Sequence, residues 1–353
     1  MSKFKEFLKR KGVVISAKTY FIDAMGAMAQ GLFCSLLIGT IIDTLGTQLH
    51  LPFLNEIGGY AKAMSGPAMA VAIGYALKCP PLVLFSLLAV GSAANGLGGA
   101  GGPLAVLFIA IIAAEIGKIV SKETKIDILV TPLVTISIGV ALSALIAPPI
   151  GEAARSIGYF IMWATELQPF LMGVIVSVVV GILLTLPVSS AAICHSFGLI
   201  GLAGGAAVAG CCAQMIGFAV ISFRDNRWGG LVSQGLGTSM LQMGNIVRKP
   251  QIWIAPTLAS AITGPLATCL FKLEMNGAAI SSGMGTCGMV GPIGVWSGWM
   301  ADIASGAKAG ITALDWVGLV LICIILPALL SLAIDALCRK LRWYGDGDMK
   351  LEG

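Results

Sequence analysis

Charged side chains are scarce along this chain. Only 11% of its 353 residues are Asp, Glu, Lys or Arg, whereas 57% are hydrophobic. A soluble domain has roughly 25% charged and about 45–50% apolar residues, and its charges keep its surface in water. The composition therefore excludes a soluble enzyme, a secreted disulfide scaffold and a disordered regulator. It predicts an all-α polytopic membrane protein, for which lipid is most of the solvent.

Glycine is unusually abundant, with 46 residues, and many of them cluster in four stretches, 95–102, 198–210, 229–237 and 277–298. Small residues let membrane helices pack closely, and glycine interrupts helices. Irregular backbone at membrane depth must line a cavity enclosed by protein, because each unpaired backbone group in lipid costs several kcal/mol. The glycine clusters therefore predict broken helices and re-entrant hairpins around a transport site. Three of the four clusters lie in the second half.

Basic side chains crowd both ends of the chain. An excess of Lys and Arg marks the cytoplasmic side of membrane spans, so both termini are predicted to be cytoplasmic. Two cytoplasmic termini require an even number of crossings, and the apolar segments favour about ten. The basic residues are Lys3, Lys5, Lys9, Arg10, Lys11 and Lys18 at one end and Arg339, Lys340 and Arg342 at the other.

Five parts are predicted along the chain. Residues 1–18 read as a basic amphipathic helix lying on the inner membrane surface, because apolar and basic positions alternate with helical spacing. Residues 19–150 form a first bundle of helices, and residues 151–166 an interfacial amphipathic helix. Residues 167–338 form a transport half with hairpins, and residues 339–353 a cytoplasmic tail.

Several site types are excluded by the sequence. The basic ends lack the aromatic or Gly-Arg interleaving of nucleic-acid binding segments. The run Gly283–Pro292 lacks the Gly-Lys-Ser/Thr ending of a phosphate loop. Nine cysteines occur without a CxxC pair, and the vicinal Cys211 and Cys212 fit tetrahedral coordination poorly. We therefore expect no nucleic acid, no cofactor and no metal.

Two ionisable residues in the second half stand out. His195 lies in an apolar, Gly-rich segment, where it needs a partner on another helix or a wet cavity. Glu274 lies between a full span and a Gly-rich stretch. It is either an ordinary charge at the membrane surface or a carboxylate at the mouth of a re-entrant hairpin. In the second case it can accept hydrogen bonds from vicinal hydroxyls, or act as a base for a hydroxyl that is to be phosphorylated.

Neutral hydrogen-bonding residues surround these two positions. Amides and hydroxyls with one carboxylate and one imidazole suit a neutral polar solute such as a polyol, whereas an ion channel favours charged rings or a carbonyl filter. Hydrogen bonding between helices is the alternative explanation for the same residues. The predicted solute ligands besides His195 and Glu274 are Gln214, Gln234, Thr238, Gln242, Asn245 and Asn276.

The stretch from Ser233 to Trp299 resembles the enzyme IIC membrane components of the phosphoenolpyruvate:sugar phosphotransferase system. The resemblance is carried by the segments 233–242 and 253–260, by Gly264-Pro265, by Lys272-Leu273-Glu274 and by the run 283–292. Within this family, the sequence is similar to the stand-alone, perfringolysin-regulator-like branch. The order of membrane spans also agrees with that of the family over most of the chain.

The resemblance implies a bacterial cytoplasmic membrane protein with the fold of the glucose superfamily. Such proteins are homodimers in which the first half forms the dimer face and the second half holds the sugar. His195 and Glu274 match the histidine and glutamate that contact the sugar. Phosphorylation would need a separate IIB subunit, since no phosphate-carrying residue is recognised in this chain. A secondary transporter without phosphotransfer and a membrane sensor or regulator are the alternatives.

Overall fold

Helices and turns account for nearly all of the polypeptide in the computed structural model, which describes residues 3–351 and the side chains of residues 6–351. Within that range there is no β-strand, and one isolated bridge pairs Gly201 with Met275. The chain divides into two structural units, Met1–Ala153 and Ala154–Gly353. The boundary falls inside a long helix.

The first unit contains six helices and the start of a seventh. Proline stands at the first or second position of three of them, where its fixed φ favours helix initiation and its missing N–H has no cost. The helices are α1 (Lys3–Arg10), α2 (Thr19–Leu49), α3 (Pro52–Ala63), α4 (Ser65–Ala76), α5 (Pro81–Gly98), α6 (Gly102–Val120) and α7 (Asp127–Thr165). Helix α4 packs against α2 and α5, and α5 packs against α6 across the turn at residues 99–101.

The second unit is built around one almost completely buried helix, α10. Helices α8, α13 and α15 pack against it. The elements in order are α8 (Pro169–Thr185), α9 (Ser190–Ser196), α10 (Gly201–Ile221), α11 (Phe223–Val232), α12 (Met243–Arg248), α13 (Pro250–Leu270), α14 (Val290–Ala304) and α15 (Ala313–Lys340).

Glycine allows α10 to touch its neighbours backbone to backbone. A Cβ on Gly210 would fall on the carbonyl group of Ser177 in α8, and one on Gly264 of α13 would fall on the carbonyl group of Gly173 in α8. Only a residue without a side chain fits at such contacts. Glycine thus serves close helix packing at Gly210, inside one of the clusters, and also at Gly264, outside them.

Among the described residues, six helices are long and apolar enough to cross a membrane: α2, α5 with α6, α7, α10, α13 and α15. Large apolar side chains such as Leu133 and Leu145 are exposed on α7, as lipid-facing residues are. The prediction of an all-α polytopic membrane protein is confirmed. The number of crossings, about ten, stays a prediction.

The helix bounds differ from the predicted ones in two places. The helix predicted for residues 1–18 ends at Arg10, and residues 13–16 are not helical. The helix predicted for 151–166 is the last part of α7, which continues through Pro148 and Pro149. Neither observation tests whether these segments lie at the membrane surface, and the five predicted parts of the chain stay predictions.

Candidate functional site

Helix α9 and the turn that joins it to α10 form the first of two segments that carry predicted site residues. Helix α9 begins where the Ser189 hydroxyl accepts a hydrogen bond from the amide of Ala192 at 3.2 Å. Gly198 and Gly201 have φ values of 59° and 64°. Glycine adopts this left-handed conformation at little cost, so the chain can turn sharply between the two helices. His195 lies one residue before the end of α9 and is exposed.

An extended segment after α13 carries the second predicted site residue. Leu273 and Met275 are 2% and 0% exposed, whereas Glu274 between them is exposed. Successive side chains of an extended chain point in opposite directions. Burial of the two apolar neighbours therefore directs the carboxylate of Glu274 away from the core.

Backbone hydrogen bonds join these two segments. The amide of Gly201 donates to the carbonyl of Met275, and the amide of Met275 donates to the carbonyl of Gly201, both at 2.9 Å. The Ser282 hydroxyl donates to the carbonyl of Leu199 at 2.6 Å, and the Ser190 hydroxyl donates to the carbonyl of Gly283 at 2.8 Å. The structure thus brings together the two segments, far apart in sequence, that carry His195 and Glu274.

Asn276 connects Glu274 to a further carboxylate. Its side-chain amide donates to Glu274 Oε2 at 3.3 Å and to Asp302 Oδ2 at 2.8 Å. Asp302, which lies near the end of α14, is not among the site residues predicted from the sequence. The signal that could have identified Asp302 is its position shortly after the last Gly-rich stretch.

These groups provide complementary hydrogen-bonding capacity on segments whose backbones are bonded to each other. Carboxylates accept hydrogen bonds from hydroxyl groups, and a neutral imidazole donates one and accepts one. An exposed imidazole, an amide and two carboxylates can together hold several adjacent hydroxyl groups. Such a set suits a sugar better than it suits an anion, which two carboxylates would repel.

The remaining predicted ligands are buried and have protein partners. The Gln214 side chain accepts from Trp253 Nε1 at 2.8 Å and donates to the Thr257 hydroxyl at 3.2 Å. The Thr238 hydroxyl accepts from the amide of Met240 at 3.1 Å and so caps a short 3-10 turn. For these side chains to bind a solute, the present bonds would have to open.

Three of the buried amides form a continuous chain. Gln242 Nε2 donates to Gln234 Oε1 at 2.9 Å, and Asn245 Nδ2 donates to Gln242 Oε1 at 2.8 Å. The same two donors also reach the carbonyl groups of Met349 and Lys350, at 2.9 and 3.0 Å. The chain of amides therefore binds the backbone of Met349 and Lys350, in the C-terminal part of the chain.

Asp225 and Asn226 hold the backbone of the same tail. Asp225 accepts from the amides of Gly347 and Met349 at 2.9 and 3.1 Å. Asn226 donates to the carbonyl of Met349 and accepts from the amide of Leu351, both at 2.8 Å. The side-chain amide of Asn226 thus donates one hydrogen bond and accepts another, in the way that the backbone of a neighbouring β-strand would.

Side chains of the tail add to this attachment. Met349 is completely buried. Lys249 Nζ lies 2.6 Å from Asp348 Oδ2, and this hydrogen bond holds the pKa of the Asp348 carboxyl below its usual range. Arg339 NH1 lies 2.7 Å from Asp346 Oδ1. Residues 345–351, here called the tail, are therefore bound by a set of groups that we call the clasp: Asp225, Asn226, Gln242, Asn245 and Lys249.

Replacing Asn226 by alanine should release the tail and lower stability. The change removes the bond that the amide of Leu351 donates to Asn226 and one of the two bonds that the carbonyl of Met349 accepts, the other coming from Gln242. A buried group left without a partner costs about 1–3 kcal/mol. We expect faster protease cleavage within residues 345–351 and a melting temperature lower by a few degrees. Gln251→Ala, which removes an exposed amide, is the control and should change neither. Equal cleavage of both variants would show that the clasp does not hold the tail.

Metal ligands do not cluster in the part of the chain that the structure describes. No group of three or more His, Cys, Asp or Glu side chains is arranged to hold an ion there. All nine cysteines are free. Six of them, including Cys211 and Cys212, are buried, and these six lie in the second unit. They pack as small apolar residues.

Comparison with known proteins identifies the family. Residues 22–351 match the model of the family described as phosphotransferase system, EIIC. The comparison with curated proteins gave no match, and neither did the comparison with solved structures. A match over nearly the whole length, together with the apolar helices, makes the protein a multi-pass membrane component of sugar transport. The chain belongs to the EIIC family of the phosphotransferase system.

Proposed function

We propose that this chain binds a sugar beside the bridge between Gly201 and Met275 and moves it across the membrane by alternating access. His195, Glu274 and Asn276 contact the sugar, and Asp302 positions Asn276. Glu274 also serves as the base for the hydroxyl that receives the phosphoryl group. The five buried ligands Gln214, Gln234, Thr238, Gln242 and Asn245 would reach solute only if transport opens their present hydrogen bonds.

The pairing of Gly201 with Met275 is the observation that carries this proposal. It ties the α9–α10 turn to the segment 272–277 through two bonds of 2.9 Å. The exposed side chains of His195 and Glu274 are therefore held on segments of fixed relative position. Fixed positions reduce the entropy cost of binding a small ligand.

We further propose the setting in which this permease works. It is a homodimer in a bacterial cytoplasmic membrane, with both termini in the cytoplasm and a separate phosphorylated IIB subunit docking there. The basic residues at both ends of the sequence support this orientation. The segments around 233–242 and 283–292 support a place in the perfringolysin-regulator-like branch.

Sugar binding by the purified full chain in lipid nanodiscs tests the site. We expect one or more members of a panel of hexoses and disaccharides to bind, measured by titration calorimetry. His195→Ala should weaken that binding roughly two- to tenfold, since one hydrogen bond contributes about 0.5–1.5 kcal/mol. His50→Ala removes the other histidine, which is exposed in the first unit, and should leave binding unchanged.

Two results would contradict the proposal. If no sugar of the panel binds while the protein remains folded and monodisperse, the solute is of another class, as in a secondary transporter or a sensor. If His195→Ala and His50→Ala bind equally well, His195 does not contact the sugar.

A further inference from the structure

A pocket of about 390 Å³ lies in the first unit, away from the residues discussed so far. It is formed where the end of α1 meets the end of α6 and the loop that follows. Its polar lining consists of Arg10, Lys11, Lys118, Ser121, Lys122 and Glu123. Four of these six side chains are cationic and one is anionic, so the pocket favours a negatively charged ligand.

Two of the four cations are committed to protein partners. The ammonium group of Lys118 donates to the carbonyls of Gly12 and Leu77 at 2.9 and 3.2 Å and lies 2.8 Å from Glu115 Oε2. Two of its three N–H donors are therefore used by carbonyl groups, and the Glu115 carboxylate offsets its charge. The ammonium group of Lys11 donates to the carbonyl of Ser121 at 2.5 Å and also pairs with Glu123. These two lysines supply positive potential but few free donors.

The other two cations have donors to spare. Arg10 NH2 lies 2.8 Å from Glu123 Oε1, and its side chain is 65% exposed. A guanidinium has five N–H donors, so most of those of Arg10 remain for a ligand. Lys122 is exposed, and its ammonium group has no ion pair with any residue that the structure describes. Guanidinium groups bind phosphate oxygens in pairs, and ammonium groups bind them as point charges.

The charge balance fits one phosphodiester group. The four cations face the carboxylates of Glu115, Glu123 and Asp127, which leaves an excess of one positive charge. A phosphodiester carries one negative charge, and an excess cation near a membrane surface attracts an anionic lipid by about 1 kcal/mol per Lys or Arg.

The surroundings of the pocket point to a lipid. The candidate membrane span that contains α6 ends at Val120, directly beside the pocket. Exposed apolar side chains follow the basic residues closely in sequence, with Ile15 78% and Ile128 72% exposed. Basic groups at the end of a span next to exposed apolar side chains are typical of a site for a lipid headgroup.

We propose that this pocket binds the phosphate of an anionic phospholipid, with Arg10 and Lys122 as its direct ligands and Lys11 and Lys118 as positioning residues. The acyl chains would lie against the apolar side chains next to it. Free inorganic phosphate has the same charge but no acyl chains, so the two sources can be distinguished by experiment.

Binding to lipids of defined charge tests the proposal. Delipidated full-length protein in neutral detergent would be titrated with phosphatidylglycerol, phosphatidylcholine or inorganic phosphate, followed by native mass spectrometry and thermal unfolding. We expect phosphatidylglycerol to bind at least tenfold tighter than phosphatidylcholine and to raise the melting temperature. The double variant Arg10→Gln with Lys122→Gln should lose this preference. The double variant Lys9→Gln with Lys125→Gln changes two exposed cations outside the pocket lining and should keep it.

Three outcomes would overturn the proposal. Equal binding of the two lipids by the unaltered protein would show that charge is not recognised. An equal loss in both double variants would reduce the effect to general surface charge. Stabilisation by inorganic phosphate equal to that by phosphatidylglycerol would assign the pocket to a soluble anion. Circular dichroism and gel filtration of the variants establish that they are folded.

Discussion

Replacing Glu274 by glutamine is expected to remove measurable sugar binding while the fold stays intact. The carboxylate is exposed, and its only described hydrogen bond is the one of 3.3 Å from Asn276. Its loss therefore costs the folded protein little. Hydrogen bonds to a charged group contribute about 1.5–3 kcal/mol, which corresponds to roughly 10- to 100-fold in affinity. Titration calorimetry measures the loss, and thermal unfolding with gel filtration checks the fold and the oligomer.

Glu56→Gln is the matched control for this variant. Glu56 is an exposed carboxylate in α3 whose described side-chain contact is a hydrogen bond of 3.3 Å from Tyr60. The chemical change is identical, and we expect full sugar affinity. Full affinity in Glu274→Gln as well would show that Glu274 is only a surface charge.

Replacing Gly205 by alanine is expected to damage stability and sugar binding together. A Cβ on Gly205 would fall on the carbonyl oxygen of Leu273, which is backbone and cannot move aside independently. Overpacking of this kind costs about 1–3 kcal/mol. Leu273 directly precedes Glu274, so relief of the clash displaces the carboxylate as well. We expect a melting temperature lower by several degrees and an affinity at least tenfold weaker.

Gly59→Ala is the control, and it is expected to raise the stability of the protein and not to lower it. Gly59 is an exposed residue of α3, and an added Cβ would meet no atom within 4 Å. Alanine favours a helix over glycine by about 0.5–1 kcal/mol, so this variant should be slightly more stable. If Gly205→Ala is as stable as Gly59→Ala, the packing of α10 against the segment of Leu273 is looser than the structure describes.

The architecture was predictable because its causes are visible in composition and periodicity. Few charges, long apolar segments and clustered glycines led to a helical membrane protein with broken helices, and the break between α9 and α10 follows the positive φ of Gly198 and Gly201. The continuation of α7 through Pro148 and Pro149 was not predictable from local rules, because proline usually ends a helix.

The candidate site was predictable only in part. His195 and Glu274 stood out because ionisable groups in apolar surroundings are costly. Their connection depends on the pairing of Gly201 with Met275, residues far apart in sequence within the second unit, and no local pattern indicates it. Asp302 was missed for the same reason.

The role of the buried amides was also beyond local reasoning. Gln234, Gln242 and Asn245 are polar residues in a Gly-rich stretch, as solute ligands are. In the structure Gln242 and Asn245 donate to the tail at Met349 and Lys350, more than 100 residues later, and Gln234 accepts from Gln242; their role as solute ligands stays a prediction. The polar connector at Asp225-Asn226 and the tail sequence Gly345-Asp346-Gly347-Asp348 were the signals that an attachment existed. Neither segment indicates, from its own sequence, which other segment it binds.

Solute uptake into vesicles tests the central claim most directly. Vesicles carrying this protein would receive labelled sugar with or without phosphoenolpyruvate, the general phosphotransfer proteins and a cognate IIB protein, and sugar and sugar phosphate would be separated after uptake. We predict that sugar accumulates inside as its phosphate when all components are present, and that Glu274→Gln abolishes this accumulation. Uptake that is unchanged without phosphoenolpyruvate, or product that remains unphosphorylated, would contradict the account of an EIIC permease coupled to phosphoryl transfer.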